Sequence, residues 1–248
     1  MNYSEVQVEQ IYEVYESFLQ EYDENSHKFL IQSLNTERGK EYLLHGFMRR
    51  LTSIKACIED IFETYPPERT NLLSHEEKHY LEINIQASVL HVYGCLDDLA
   101  WIFDSEKGLN LPRLKVSLFK KDLQRHLHQT LQDYLNTDNI HKWYVKHSKE
   151  TRDALNHRIP IYIPPFFVHT SNIKEYDKIE QRLAEEISEQ EREILTNKQS
   201  AMEMICPVYK HSFGENAPEV YFHYQILSDT RTLMLIAGLF FQCLNADN

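Results

Sequence analysis

Apolar residues recur along this chain at steps of three and four, the spacing that gathers side chains on one face of an α-helix. Val8, Ile11, Tyr15, Phe18 and Tyr22 form the first such stripe. Leu44, Phe47, Leu51, Ile54, Ile58 and Ile61 predict a second helix over about 41–65, stopped by Pro66 and Pro67. Ser74, followed by Glu76 and Glu77, reads as a capped start with acidic residues at the positive end of the helix dipole. The third helix then carries Leu81, Ile85, Val89, Val92, Leu96, Leu99 and Phe103 inward and ends before Gly108. A connection over 105–112 leads to a fourth helix at about 117–135 and a fifth at about 140–158, where Pro160 disfavours helix at its predecessor.

The text that follows, IPIYIPPFFV over 159–168, mixes three prolines with β-branched and aromatic residues. It predicts an extended or polyproline-like strip, apolar enough to lie on the body. A long charged helix is expected over about 173–200, an irregular stretch with a short strand or two over 206–220, and a last, most apolar helix over about 221–244 at the centre. The expected fold is therefore all-α: a single domain over 1–248 built as a helical bundle, with its core at about 41–158 and the last helix packed centrally.

Composition narrows this picture. Hydrophobic residues make up 42% of the 248, enough to build a core, while six glycines and eight prolines supply too few turns for a sandwich of many short strands. The start, MNYSEVQVEQ, lacks the basic and apolar regions of a signal peptide. The longest apolar run, Leu233 to Phe241, falls well short of the roughly 18 residues that span a bilayer, so no membrane association is expected. Cys57, Cys95, Cys206 and Cys243 lie far apart with no CxxC pair, which reads as free buried thiols in a reducing, cytoplasmic setting.

Charge changes the picture more. The chain carries a formal net charge of -12, which argues against a protein that coats nucleic acid with its whole surface. From Arg113 to Arg158, however, ten basic residues face five acidic ones, a net of +5, leaving 16 basic against 33 acidic elsewhere, a net of -17. A local basic face of this kind attracts a polyanion while the remainder repels it.

That face is sharpest on the fifth helix. At 100° per residue, Lys142, Lys146, Lys149, Asp153 and His157 share one stripe, with Arg152 and Asn156 beside it. Tyr144, Ser148, Thr151, Leu155 and Ile159 occupy the opposite side and are expected to face the core. These residue types suit phosphate chemistry. A guanidinium binds phosphate through paired N–H groups, and an imidazole moves a proton near neutral pH. Asp153, one turn before His157, is placed to orient the imidazole or to pair with Lys149.

The text RDALNH, Arg152 to His157, resembles the Arg-x(4–6)-His motif of the HEPN (higher eukaryote and prokaryote nucleotide-binding) superfamily, in which a polar residue follows the arginine, here Asp153. The longer texts TRDALNHRIPIYIPPF and GCLDDLAWIF are similar to those of uncharacterised HEPN-like proteins of this size. The resemblance implies a HEPN-like up-and-down bundle and metal-independent RNA cleavage without a cofactor. In that chemistry the ribose 2′-hydroxyl attacks the adjacent phosphate at a site shared by two subunits. It assigns Arg152 to phosphate charge, His157 to proton transfer and Asp153 to orientation. Lys142, Lys146, Lys149, Asn156 and Arg158 would line the RNA path. A non-catalytic module binding nucleotide, RNA or a protein partner is the alternative, and a toxin or defence setting with a protein antitoxin is what the family analogy suggests. Independently of the family, residues five apart on a helix point about 140° apart, so Arg152 and His157 meet one phosphate most readily across a homodimer two-fold.

Other constellations carry less. His126 and His128 would diverge on a helix and cannot share a metal, and no HExxH, P-loop or GxGxxG text is present. Asp97 and Asp98 lie in an apolar helix and need partners, for which Arg152 or Arg158 are the candidates. Tyr162, Phe166 and Phe167 are more suited to packing than to stacking on bases.

Overall fold

Helix α1 (Glu5–Leu30) starts at Ser4, whose hydroxyl accepts from the Gln7 amide while the Gln7 side chain accepts from the Ser4 amide, a reciprocal cap. Its predicted stripe faces inward: Ile11, Phe18 and Tyr22 are buried, and Val8 and Tyr15 pack against the core. The computed structural model describes residues 3–212 and 218–246.

The second predicted helix is a run of three parts: α2 (Glu37–Glu41), a π-helical segment Tyr42–Phe47, and α3 (Met48–Thr64). A π segment closes i→i+5 bonds and so turns more slowly than an α-helix. One consequence is a corrected face: Leu43 is buried where the spacing had placed Leu44, and Leu44 is 42% exposed. Helix α4 (His75–Glu106) begins at the expected Ser74 cap, buries all seven predicted apolar residues, and ends before Gly108, whose φ of +60° suits glycine. α3 and α4 form the central antiparallel pair, crossed by α11 (Phe222–Ala246).

α11 is the core helix that its composition predicts, with Phe222, Ile226, Leu233, Ile236, Phe240 and Phe241 buried. It is also the one helix among the described residues long and apolar enough to cross a membrane, and 61% of that stretch is buried inside the bundle. All four cysteines are buried and none forms a disulfide.

Two predicted helices are broken. The fourth divides into α5 (Lys121–Gln124) and α6 (Gln129–Leu135). Between them the backbone makes tight turns, and His128 Nδ1 accepts from the Thr130 amide, so this histidine caps α6 instead of lying mid-helix. The charged run over 173–200 is likewise a hairpin of α9 (Ile173–Leu183) and α10 (Glu189–Ser200). Ser188 caps the second arm through the Glu191 amide. Lys198–Glu175 at 2.6 Å and Arg182–Glu191 at 2.9 Å tie the arms antiparallel.

The fifth helix is continuous from Asp138 to His157 but not uniform: α7 (Asp138–Lys142), a π segment Trp143–Lys149, then α8 (Glu150–His157). The proline-rich strip lies on α4 as expected. The Ile161 carbonyl accepts from Gln86, the Ile163 amide donates to Glu82, and Ile161 and Ile163 are buried. Two short antiparallel pairs complete the fold. β1 (Phe167–Val168) pairs with β2 (Glu203–Met204), Phe167 opposite Met204; β3 (Val208–Tyr209) pairs with β4 (Val220–Tyr221), Val208 opposite Tyr221. The irregular stretch expected over 206–220 thus contains strand, and 213–217 lie outside the described residues.

Candidate functional site

The α7–α8 run presents Lys142, Lys146, Lys149, Asn156, His157 and Arg158 to solvent, with Asp153 half-buried. Lys142 pairs with Asp138 one turn earlier. The inward side holds Trp143, Ser148 and Ala154, flanked by partly buried Tyr144, Thr151 and Leu155. Ile159, placed inward by the spacing, is 52% exposed: the helix has ended, and the backbone at Arg158 is no longer helical. Trp143 was not on the predicted inner face. The π segment brings it there, where its indole N–H donates to Asp229 of α11 at 2.7 Å.

Arg152 does not stand out with the lysines. Its guanidinium lies over the ring of Tyr93 of α4, 4.1 Å from the centroid, and its Nη1 pairs with Asp153 at 3.0 Å. The side chain keeps 23% exposure, and Nε is buried without a hydrogen-bond acceptor. Beneath it is a pile of rings from three elements. Tyr93 and Tyr144 stack at 6.0 Å with a 3.1 Å bond between their hydroxyls, and Phe119 stacks on Tyr144 at 3.7 Å. Burial raises the Tyr144 phenol, reinforced by the Tyr93 hydroxyl.

Asp97 lies one turn beyond Tyr93. Burial pushes its carboxyl up, and the charge of Arg152, then Arg50 and Lys120, pulls it back. Asp98 finds a different partner from the expected Arg152 or Arg158. Arg50 of α3 donates from Nε at 3.0 Å to a carboxylate whose side chain is only 9% exposed. Burial still holds the Asp98 carboxyl at about 6, against the opposing effect of Arg50. Two glycines permit this pair. A Cβ on Gly94 would lie 2.6 Å from the Arg50 guanidinium, and one on Gly46 would lie 2.8 Å from the Asp98 carboxylate. Arg50 escaped the sequence reading because nothing in a one-dimensional pattern pairs α3 with α4. The only signal was a buried Asp in search of a cation.

α8 therefore divides its motif. Arg152 leans onto α4, His157 stands exposed at the helix end, and five residues of α-helix set them about 140° apart in one chain. Asp153 touches Arg152 and not, as the spacing also allowed, Lys149. Two clefts, of about 710 and 610 Å³, lie at the α3–α4 loop and at the π segment beside Asp98; neither is lined by α8. Phe166 packs on Tyr176, and Tyr162 bridges to Lys210. Among the described residues no three His, Cys, Asp or Glu side chains gather as a metal site. No family model, curated protein or solved structure matches the chain.

Proposed function

We propose that this protein is a HEPN-type endoribonuclease that acts as a homodimer, with two α8 helices facing each other across a two-fold. The observation that carries the reading is the Arg152 guanidinium. It is held on an aromatic face, with its side chain 23% exposed beside a basic stripe that faces solvent and its Nη1 on Asp153. A guanidinium so held is a preorganised donor for a phosphate that gains charge as the 2′-hydroxyl attacks. His157 of α8, exposed at the helix end, takes or delivers the proton. Asp153 holds Arg152 through Nη1. Lys142, Lys146, Lys149, Asn156 and Arg158 give the RNA backbone its track, so binding weakens as salt rises. Since one helix turns Arg152 and His157 apart, each phosphate is framed by groups from both protomers.

The experiment is RNA cleavage in EDTA. The wild-type protein is expected to cleave, and His157→Ala to lose about a hundredfold in rate, the low end for a general acid–base group. An uncut RNA panel, or equal cleavage by His157→Ala, overturns the reading. One observation favours a second reading, a non-catalytic module that binds RNA or a protein partner such as an antitoxin: Tyr93 and Asp153 already engage Arg152, as they would if it served only to anchor α8 to α4. That reading predicts RNA binding with no cleavage.

A further inference from the structure

We propose that Tyr93 of α4 is the positioning residue for Arg152, setting the plane in which its guanidinium meets phosphate; this rests on Arg152 being the phosphate-binding group. An arginine side chain has several free rotations, and fixing it where phosphate arrives costs entropy at the moment of binding unless the fold has fixed it already. Tyr93 does so by geometry. The guanidinium carbon lies over the ring, 4.1 Å from its centre. Nη1 goes to Asp153, and Nε is buried against the fold.

The platform is itself held. The Tyr93 ring is braced by the ring of Tyr144, which stacks on it at an interplanar angle of 20°, with the two hydroxyls 3.1 Å apart. Tyr144 is pinned in turn by Phe119, at 3.7 Å and 5°. Tyr144 sits in the π segment, so the irregular turn that delivers this ring to α4 also delivers α8 and its arginine. Tyr93 and Arg152 are both only partly buried. Tyr93 is thus outside the motif that names Arg152, on another helix, and acts on phosphate only through Arg152.

The test uses the full chain with Tyr93→Leu, which removes the ring, and Tyr93→Phe, which keeps it. Two measurements are made: cleavage of RNA in EDTA, and binding of a 2′-O-methyl RNA that cannot be cleaved because its nucleophile is blocked. A face-on cation–π contact that is partly desolvated corresponds to about a tenfold effect. If wild type cleaves, Tyr93→Leu is expected to lose about tenfold in kcat/KM, with a matching loss in Kd for the 2′-O-methyl RNA. Tyr93→Phe should stay within about twofold, with both variants melting cooperatively like wild type. Cleavage by Tyr93→Leu within twofold of wild type overturns the role of Tyr93 and leaves the ribonuclease reading standing. If wild type binds the 2′-O-methyl RNA but cleaves nothing, the ribonuclease reading fails; a tenfold weaker Kd for Tyr93→Leu, absent in Tyr93→Phe, still supports Tyr93 as the positioner. Neither cleavage nor Tyr93-dependent binding overturns both.

Discussion

Acidification from pH 6.5 to about 3 is expected to remove about 4 kcal/mol of stability through one side chain, His223. This histidine is fully buried at the start of α11, among the rings of Tyr3, Phe62, Tyr65 and Phe222. Its Nε2 lies 2.8 Å from the Tyr65 carbonyl, an acceptor only, so Nε2 carries the proton and Nδ1 accepts from the Tyr3 hydroxyl at 3.2 Å. Both partners are satisfied by the neutral ring. Burial pushes the imidazole down to about 3, opposed only by the Tyr65 carbonyl. The unfolded chain takes up a proton near pH 6.5 that the native chain refuses until about 3. The contribution is therefore whole above pH 6.5 and drains away as the pH falls toward 3. Urea unfolding of wild type and His223→Gln at pH 7, 5.5 and 4 checks this. The variant should be less stable at pH 7, since it disturbs two buried bonds, but its stability should fall less steeply with acid. A gap between the two proteins that stays constant across those pH values would show that His223 is not the titrating group.

His223 also marks what a one-dimensional pattern can reveal. Its place on an apolar helix was visible, as was the central position of that helix, because periodic burial follows from spacing alone. Its neighbours were not: Tyr3 and Tyr65 come from 220 and 158 residues away. The same division runs through the fold. Capped, strongly periodic α4 could be read from Ser74 to its end before Gly108, residue by residue. Two π segments could not, since the spacing rule assumes 3.6 residues per turn. They account for Leu43 replacing Leu44 inside and for Trp143 turning onto α11. The broken charged helix had a signal that went unused. Ser188 and Glu191 spell a helix start in mid-run, but a solvated face gives no apolar phase that a break would interrupt.

The candidate site shows the same limit more sharply. The exposure of Lys142, Lys146, Lys149, Asn156 and His157 follows from helix phase. The burial of one edge of Arg152 does not, because it depends on where α4 lies. Tyr93 and Asp97, four apart on one face, hinted that α4 offers a ring and a carboxylate together, yet only the packed structure supplies the cation that meets them.

Removing Arg50 should destabilise the protein by about 3 kcal/mol at pH 7.5, and much of that loss should return at pH 5. Breaking a buried ion pair by deleting one partner costs about 3–5 kcal/mol, because the remaining charge stays buried and uncompensated. The low end applies, since the Arg50 side chain keeps 40% exposure and water screens it in part, whereas Asp98 keeps only 9%. The carboxyl of Asp98 already stands at about 6, well above the value near 3.9 of an unfolded chain, with Asp97 adding like-charge repulsion. Between those values the native state holds a proton that the unfolded chain has lost, so stability from this group falls as pH rises through the window. Arg50→Ala deletes the one lowering influence, widens the window upward, and makes the variant more dependent on acid than wild type. The titration of His223 is common to both proteins and cancels in their difference. Equilibrium unfolding of Arg50→Ala at pH 7.5 and pH 5 should therefore show the gap to wild type shrinking by about half or more, and Asp98→Asn in the same background should narrow it at pH 7.5. A gap of equal size at both pH values, with no rescue by Asp98→Asn, would mean that Arg50 supports α4 through the packing of its side chain against Gly94 and not through its charge.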